Sequence, residues 1–309
     1  MDIPTIHPPR LKKDDTVAIV APAGPIERQE GLNRGIKALE RMGFRVQYSR
    51  RIFQSSRYLA GDDTARAEEL ILALEDNSIK AIVGLRGGYG CMRLIPHLMR
   101  RRLHAQPKIF LGFSDLTTLH LFLNMHFGWI TIHGPVATTL DFGISPSEQE
   151  SHLLSLWTNP EYLPTLTPAQ SETWNPGKAE GTLAGGCLSL IAASIGTPYE
   201  IDTEGKILFL EDMGESPYRL DRMITHLDLA GKLQSLAGIL LGTFHQCEPD
   251  QGDYSCEDVL REMLRQLHVP ILANFPAGHG PENWAIPLGV RVRIDADERS
   301  VRFLEPAVQ

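Results

Sequence analysis

A serine stands at the point where the chain changes from a strand pattern to a helical one. Ser114 follows Gly112 at the end of a strand pattern, residues 108–112, with the apolar run Ile109-Phe110, and precedes a helical pattern over residues 115–127. A strand that turns sharply into a helix through Gly-x-Ser is the geometry of a nucleophile elbow. Such a turn exposes a hydroxyl that can attack a carbonyl, and backbone N–H groups beside it can stabilise the resulting oxyanion. Leu116 replaces the second glycine of this motif, so other residues must support the prediction.

A serine nucleophile needs a base, and the base needs a group that orients it. His279 is the strongest candidate among the eleven histidines, because it lies in a segment dense in glycine and proline, residues 276–283. Loops of this kind carry function more often than packing. His133 stands at the end of a strand pattern, where a structural role is favoured over a catalytic one. Seven others lie in or beside helical patterns, where packing or surface roles are expected: His97, His104, His120, His126, His152, His226 and His268.

Two carboxylates follow an apolar strand pattern directly, at Glu211 and Asp212. Because side chains alternate along a strand, the two are expected on opposite faces. One of them can point into a cleft while the other caps the next helix. Glu211 ranks slightly ahead of Asp212 as the orienting acid, and Glu215 is a third candidate.

A glycine-rich segment, residues 86–90, follows a buried strand pattern over residues 81–85. It lacks the Gly-Lys-Ser/Thr of a phosphate-binding loop, so nucleotide binding has little support. Its glycines would let the main chain approach a reacting carbon closely and supply a second oxyanion donor. A plain tight turn explains the segment equally well.

The elements that must position these groups alternate between strand and helix patterns in the first half of the chain. In chain order they cover residues 16–21, 26–42, 65–74, 81–85, 108–112, 115–127 and 129–133. Asp62 or Asp63 is expected to cap the second helix. This alternation predicts an α/β fold with a parallel sheet and helices on both faces.

Prolines, asparagines and glycines interrupt the pattern from about residue 158 to 181, which predicts a linker or a long surface loop. Beyond it, further strand and helix patterns predict a second, mixed α/β domain. The strand patterns cover residues 206–211, 236–244, 270–273, 288–294 and 301–304, and the helical patterns cover 217–229 and 256–267.

The bulk properties exclude several classes of protein. The 309 residues suffice for about two domains. The formal net charge of -8 argues against nucleic acid or an anionic membrane as the main partner. No apolar stretch is long enough to span a bilayer, and no secretory signal is visible. The four cysteines lack the spacing of a zinc site and are expected to be reduced thiols in a cytoplasmic protein.

Four motifs, taken together, resemble the LD-carboxypeptidases, the serine peptidase family that also contains the microcin C self-immunity peptidases. The resemblance runs from about Thr16 to Leu304. In chain order the motifs are Arg86-Gly87-Gly88-Tyr89-Gly90, Gly112-Phe113-Ser114-Asp115, Leu210-Glu211-Asp212 with Tyr218-Arg219-Leu220-Asp221-Arg222, and Gly278-His279-Gly280 with Asn283 and Pro287-Leu288-Gly289.

The resemblance implies a Ser-Glu-His triad. Ser114 is then the nucleophile, Glu211 the orienting acid and His279 the base, while the backbone N–H groups of Gly88 and Asp115 form the oxyanion hole. No metal and no cofactor take part. One departure is Cys187, which stands where relatives usually carry asparagine after two glycines.

The resemblance also implies a domain organisation and a substrate. Residues 1–157 would form a Rossmann-like domain with the nucleophile, 158–179 a linker, and 180–309 a swivelling mixed α/β domain with the acid and the base. The implied substrate is a murein tetrapeptide, which loses its terminal D-alanine during cytoplasmic recycling of cell-wall fragments. Arg86 is a candidate cation for the free carboxylate of the substrate, although a structural salt bridge explains it equally well.

Several alternatives stay open at the level of sequence. An immunity-type peptidase would cleave aminoacyl-nucleotide conjugates and would need an aromatic platform, for which Trp174 is a candidate. A cysteine amidohydrolase would use Cys187. A binding protein without enzymatic activity would grip an anion with its glycine-rich loops. A metal site could assemble from His245, Cys247 and His279 although no compact ligand spacing appears, and a homodimer is one option for the quaternary structure.

Overall fold

The computed structural model describes residues 4–101, 103, 105–140, 147–249, 252 and 254–309. The chain forms two compact units. The N-terminal unit contains the chain up to Tyr162 together with Ala285–Pro287 and Pro306–Gln309. The C-terminal unit contains Leu163–Trp284 and Leu288–Glu305. Two short segments from the end of the chain are therefore part of the N-terminal unit.

Strands and helices alternate in the N-terminal unit. In chain order they are β1 (Thr16–Val20), α1 (Gln29–Arg41), β2 (Arg45–Tyr48), α2 (Asp63–Glu75), β3 (Ile79–Gly84), α3 (Ile95–Arg100), β4 (Ile109–Gly112), α4 (Thr117–Phe127), β5 (Thr131–His133) and α5 (Glu148–Thr158). The side chain of Asp62 caps α2 by accepting a hydrogen bond from the Ala65 amide at 2.9 Å.

The C-terminal unit contains more strands than helices. Its elements are β6 (Thr165–Leu166), β7 (Glu172–Asn175), β8 (Lys178–Cys187), α6 (Leu188–Ser194), β9 (Ile207–Met213), α7 (Pro217–Leu229), β10 (Gly238–His245), α8 (Cys256–Leu264), β11 (Ile271–Ala273), β13 (Arg291–Asp295) and β14 (Ser300–Phe303). Strand β12 (Ile286–Leu288) lies between β11 and β13 in the chain but joins the sheet of the N-terminal unit. No helix among the described residues is both long enough and apolar enough to cross a bilayer.

The sheet of the N-terminal unit has the strand order β12-β5-β4-β3-β1-β2, and its pairs from β5 to β2 are parallel. Its central strands are buried and apolar over most of their length, as expected where helices cover both sides of a parallel sheet. Since β1, β3 and β4 are neighbours, the loops at their carboxyl ends lie side by side. Those loops contain the glycine-rich segment and Ser114.

The end of the chain completes the core of this unit. Val308 is fully buried in the same apolar cluster as Leu39 and Trp157. The Arg10 amide donates to the Gln309 carbonyl at 2.9 Å, and Nε2 of His152 is 2.8 Å from the Ala285 carbonyl. The sheet edge, the core and the hydrogen bonds of the N-terminal unit therefore all include residues from beyond position 284.

The C-terminal unit is built on an eight-stranded sheet of order β6-β14-β13-β8-β9-β10-β11-β7. The four central strands, β8 to β11, are parallel, and the flanking strands are antiparallel. The carboxyl ends of β9, β10 and β11 share one edge, where Glu211 and the loop with His279 are found. The prediction of an α/β fold with a parallel sheet followed by a mixed α/β part is confirmed, whereas a swivelling motion stays a prediction.

The expectation of an irregular linker over residues 158–179 is wrong for part of that segment. Strands β6 and β7 lie within it, at the two edges of the eight-stranded sheet. Each edge strand pairs on one side only and has two or four residues, most of them polar and partly exposed. So short a strand has neither the apolar alternation nor the length from which a strand can be predicted.

Candidate active site

Ser114 lies in a sharp turn between β4 and α4. Phe113 continues the strand in an extended conformation, and Ser114 then has a φ of +64°. A left-handed conformation is uncommon for a residue with a Cβ, and it costs on the order of 1–3 kcal/mol where packing enforces it. A 3₁₀ turn over Ser114–Leu116 leads into α4. The turn holds Ser114 half-buried at the carboxyl end of the sheet.

The glycine-rich loop after β3 passes directly beside this serine. A Cβ on Gly87 would lie 2.7 Å from the Ser114 Oγ atom. Gly88 and Gly90 have φ angles of +113° and +138°, which residues with side chains rarely adopt. The Gly24 amide donates to the Gly87 carbonyl at 3.1 Å, so the loop is also tied to the segment after β1. The main chain of the loop is therefore within reach of a group that reacts at the Ser114 hydroxyl.

Glu211 and His279 meet in the C-terminal unit. Oε2 of Glu211 accepts a hydrogen bond from Nδ1 of His279 at 2.7 Å and another from the His279 amide at 3.2 Å. The carboxylate is fully buried, and the imidazole is 9% exposed. Because an ionised carboxylate only accepts hydrogen bonds, the proton of the neutral imidazole sits on Nδ1 and its lone pair on Nε2. This is the arrangement of a base that an acid orients.

The loop around His279 has a conformation that depends on glycine. Gly278 has a φ of +113°, and a Cβ at this position would overlap the Glu211 carboxylate. The Gly278 amide donates to the side-chain oxygen of Asn283 at 2.9 Å, and the Thr243 amide donates to the Ala277 carbonyl at 3.0 Å. These two hydrogen bonds hold the main chain just before His279, and the first also connects it to Asn283 on the other side of the histidine.

Asp212 points away from the histidine and towards the start of α6. Its carboxylate accepts hydrogen bonds from the amides of Ser189 at 2.7 Å and Met213 at 2.8 Å. Burial raises the pKa of Asp212, and the two amides oppose the rise. Asp212 therefore caps a helix, whereas Glu211 holds the histidine, which is the division that strand alternation predicts. Glu215, the third candidate, is paired with Arg219 at 3.5 Å.

Other residues singled out in the sequence have different surroundings. Arg86 donates to the Pro25 carbonyl at 3.0 Å and forms an ion pair with Glu27. His133 is buried within the sheet, with its ring 5.9 Å from that of Phe113. His104 lies outside the described residues.

The cysteines have the environment of unreactive thiols. Cys187 is buried beside Asp212, with its Sγ atom 3.4 Å from a carboxylate oxygen. Burial raises the pKa of the Cys187 thiol well above its usual range, and the charges of Asp212 and Glu211 raise it further. A thiol held in its protonated form is a poor nucleophile. Within the described part of the chain, no three His, Cys, Asp or Glu side chains are grouped as metal ligands would be.

A cavity of about 310 Å³ opens in the C-terminal unit beside the loop that contains His279. Its lining includes Trp174, Thr243, Asn274 and Glu282. The guanidinium carbon of Arg261 lies 4.4 Å from the centre of the Trp174 ring, at a cation–π distance. Trp174 is therefore part of a cavity wall and packs against a charged residue.

Sequence reasoning missed two polar side chains of the N-terminal unit, Asp115 and Arg66. Both are buried and both bond to the glycine-rich loop. For Asp115 the sequence contained a signal. The expected oxyanion donor at this position is the backbone N–H, which any residue but proline provides, so a carboxylate here indicates a separate role for the side chain. Arg66 lies within a helical pattern, where a charged side chain is ordinarily exposed.

The chain matches two domain descriptions from one family. Residues 17–134 match the LD-carboxypeptidase N-terminal domain, and residues 180–294 match the LD-carboxypeptidase C-terminal domain. The first match contains Ser114 and the glycine-rich loop, and the second contains Glu211 and His279.

Curated relatives cover nearly the whole chain. A probable murein peptide carboxypeptidase of Bacillus subtilis (strain 168) is 36% identical over 298 residues, which are 95% of this chain and 92% of the relative. A murein tetrapeptide carboxypeptidase of Pseudomonas aeruginosa is 36% identical over 283 residues, with 89% of this chain and 92% of the relative covered.

Among solved structures, the wild-type microcin C7 self-immunity protein in its apo state has the same fold. It superimposes with a TM-score of 0.88 at 24% identity, and 98% of this chain and 100% of that chain are covered. At this level of identity the likeness concerns the fold.

Proposed function

The chain belongs to the LD-carboxypeptidase family, as the resemblance predicted, and from this premise we propose that it is a serine hydrolase that releases the terminal D-alanine of murein tetrapeptides. The curated relatives named as murein peptide carboxypeptidases support a peptide substrate. We further propose that the enzyme acts in the cytoplasm on recycled cell-wall fragments.

The observation that carries this proposal is the hydrogen bond of 2.7 Å between His279 and the buried Glu211. In serine hydrolases, a buried carboxylate that fixes one nitrogen of an imidazole holds the general base in the correct tautomer. It also stabilises the imidazolium that forms when the base takes up a proton. Asp212, its neighbour, is used as a helix cap and does not compete for this role.

In the proposed mechanism Ser114, Glu211 and His279 act as one catalytic unit. Nε2 of His279 takes the hydroxyl proton of Ser114 as Oγ attacks the peptide carbonyl. The negative charge that develops on the carbonyl oxygen is stabilised by the backbone N–H groups of Gly88 and Asp115. Each such donor lowers the barrier by about 3 kcal/mol in comparable enzymes.

The tetrahedral intermediate then collapses to an acyl-enzyme. The C–N bond breaks, His279 returns its proton to the departing amine of D-alanine, and the Ser114 ester remains. A water molecule, deprotonated by His279, attacks this ester and restores the serine. Every step uses protein groups and water, so we expect a chelator such as EDTA to leave the rate unchanged.

Arg86 is our proposed contact for the free carboxylate of the substrate. Its guanidinium already forms an ion pair with Glu27, whose side chain is largely exposed. A substrate carboxylate would have to compete with this partner. Arg86→Gln should therefore raise KM more than it lowers kcat, and Glu27→Gln should leave KM unchanged or lower it.

The test of the main proposal is release of D-alanine from a purified murein tetrapeptide. The wild type should release one D-alanine per peptide, and Ser114→Ala should release none. Ser155→Ala is a matched control, since this serine lies on α5 and its hydroxyl donates to the Ser151 carbonyl one turn earlier. Activity that persists in Ser114→Ala, or that EDTA abolishes and zinc restores, would contradict the serine mechanism.

A second candidate function is cleavage of aminoacyl-nucleotide conjugates, as in an immunity-type peptidase. It is supported by the position of Trp174 in a cavity wall, where an aromatic ring can stack on a base. Assays of both substrates with the wild type and with Trp174→Leu distinguish the candidates. Preference for the conjugate that Trp174→Leu removes would favour the second function over the first.

A further inference from the structure

The carboxylate of Asp115 fastens the Ser114 turn to the glycine-rich loop. The side chain is almost fully buried, at 1% exposure, and Oδ2 accepts a hydrogen bond from the Cys91 amide at 2.8 Å. Burial raises the pKa of Asp115, while hydrogen bonds from Cys91, the charge of Arg66 and the Gly90 amide oppose the rise. The carboxylate is therefore surrounded by donors that belong to the end of the loop.

Arg66, on α2, holds the same loop through its carbonyl groups. Its Nη1 atom donates to the Gly90 carbonyl at 3.0 Å and to the Pro22 carbonyl, and its Nη2 atom pairs with Asp63 at 2.5 Å. Arg66 is only 2% exposed. Burying a charge is costly unless it is paired and hydrogen-bonded. Here both conditions are met, since the guanidinium is paired with Asp63 and bonded to the loops after β1 and β3.

The backbone and the side chain of Asp115 thus have two separate roles in this arrangement. Its backbone N–H is one proposed donor to the oxyanion, and its side chain binds the loop that supplies the other donor, Gly88. The distance between the two donors depends on how the loop and the turn are held together. Oxyanion stabilisation requires donors that are fixed before the reaction.

We propose that Asp115 and Arg66 are positioning residues that lock the glycine-rich loop against the Ser114 turn and thereby set the geometry of the oxyanion hole. This inference rests on the proposed function for its catalytic consequence, while the locking itself is a property of the N-terminal unit. A displacement of one donor by about 1 Å can lower a rate by about 100-fold. The network does not need to contact the substrate to have this effect.

The locking is tested by hydrogen exchange, which requires no activity. Asp115→Asn keeps the volume but places an NH₂ donor among N–H donors. We expect the amides of residues 87–91 to exchange about tenfold faster in this variant, with the helices of the unit unchanged. Glu150→Gln is the matched control, because Glu150 is also buried in the N-terminal unit and holds Arg41 by two hydrogen bonds. Unchanged exchange of residues 87–91 in Asp115→Asn would overturn the proposal.

The catalytic consequence is tested by kinetics on the same two variants. Asp115→Asn should lower kcat for D-alanine release about 100-fold with KM within about twofold, and should slow covalent labelling of Ser114 by a fluorophosphonate to a similar degree. Glu150→Gln should lower the melting temperature without changing either rate. A folded Asp115→Asn with the wild-type kcat would contradict the proposal. A wild type that neither releases D-alanine nor is labelled would refute the proposed function, and the exchange experiment would then decide on the locking alone.

Arg66→Lys provides an independent variant if Asp115→Asn does not fold. It keeps the charge and loses the planar fork that reaches two carbonyls and Asp63. The same faster exchange of residues 87–91 and the same loss of kcat are expected. A protein in which Arg66→Lys leaves both unchanged would show that the loop is held by other means.

Discussion

The Ser114 turn and the His279 loop are built by different physical means. The Ser114 turn in the N-terminal unit depends on main-chain geometry, with a left-handed serine and a glycine loop that passes beside its hydroxyl. The His279 loop in the C-terminal unit depends on side-chain hydrogen bonds, with a buried carboxylate as the central acceptor. In the proposed mechanism, main-chain geometry fixes where the nucleophile and the oxyanion lie, whereas the side-chain pair controls a proton. Substitutions in the two regions should therefore fail in different ways.

The largest expected effect comes from removing either the proposed nucleophile or the proposed base. Ser114→Ala and His279→Ala should each lower kcat by about four orders of magnitude or more, and the double variant should be little worse than either. Groups that act as one unit lose their function together. The measurement is single-turnover release of D-alanine, with His226→Ala on an exposed face of α7 as control. Losses that multiply in the double variant would show that the two regions do not share a proton transfer.

The next effect separates the two adjacent carboxylates of β9. Glu211→Gln should keep the fold and lower kcat by about three to four orders of magnitude, because the amide stabilises the wrong imidazole tautomer. Asp212→Asn should retain most activity and lower the free energy of unfolding by about 1–3 kcal/mol, because it weakens the cap on α6. Urea unfolding and kinetics of both variants check this. If instead Asp212→Asn lost the activity and Glu211→Gln lost only stability, the orienting acid would be Asp212.

Two glycine substitutions then compare the two regions directly. At Gly87, which lacks a left-handed φ, an added Cβ would lie 2.7 Å from Oγ and 2.8 Å from Cβ of Ser114, so the Ser114 turn must shift. We expect Gly87→Ala to lower kcat about 100-fold and to lower the melting temperature less than Gly278→Ala does. Gly278→Ala meets both a positive φ and the Glu211 carboxylate, so stability and activity should fall together. Kinetics and thermal unfolding of the two variants measure the difference.

Gly196→Ala is the control for backbone strain alone. Gly196 has a φ of +79°, and a Cβ added there would come within 4 Å of no neighbouring atom in the described part of the chain. The substitution should lower stability by about 1–2 kcal/mol and leave kcat unchanged. If Gly278→Ala behaves like this control, the tight approach of the His279 loop to Glu211 is not needed for catalysis.

The smallest expected effect is a loss of unfolding free energy at low pH, caused by a buried histidine that contacts the end of β4, just before Ser114. Burial lowers the pKa of His120 to about 3, and Nε2 of this residue is 2.8 Å from the Gly112 carbonyl. In the unfolded chain the pKa is near 6.5, so between pH 6.5 and about 3 the unfolded state binds the extra proton. The contribution of His120 to stability is therefore present above about pH 6.5 and is lost as the pH falls through this range.

His120→Gln checks this assignment while keeping a donor for the Gly112 carbonyl. In the variant, the slope of unfolding free energy against pH between 4 and 6 should be smaller by up to about 1.4 kcal/mol per unit. Urea titrations at several pH values measure it. The same slope in wild type and variant would place the acid sensitivity elsewhere.

The sequence predicted the parts of the site that depend on local pattern. Alternation along β9 separated Glu211 from Asp212, and the composition of residues 276–283 drew attention to His279. The helix over 217–229 was predicted with the bounds that the structure has. These features depend on residues that are close in the chain.

What the sequence did not predict depends on distant partners. Arg66 is buried because its guanidinium meets two carbonyls from other loops, one of them 44 positions away along the chain. Helix α6 was missed because it is short and apolar for most of its length, and its cap, Asp212, comes from another strand. The edge strands β6 and β7 exist only through pairing with β14 and β11. Periodicity carries no information about such contacts.

The return of the last residues to the N-terminal unit has a consequence for synthesis on the ribosome. When Tyr162 has been made, the unit still lacks the edge strand at Ile286 and the core side chain of Val308. The nascent N-terminal unit must therefore wait for more than a hundred further residues before its sheet and core are complete. The C-terminal unit is translated during this interval, so the N-terminal unit exposes apolar surface that the later residues will cover while synthesis continues.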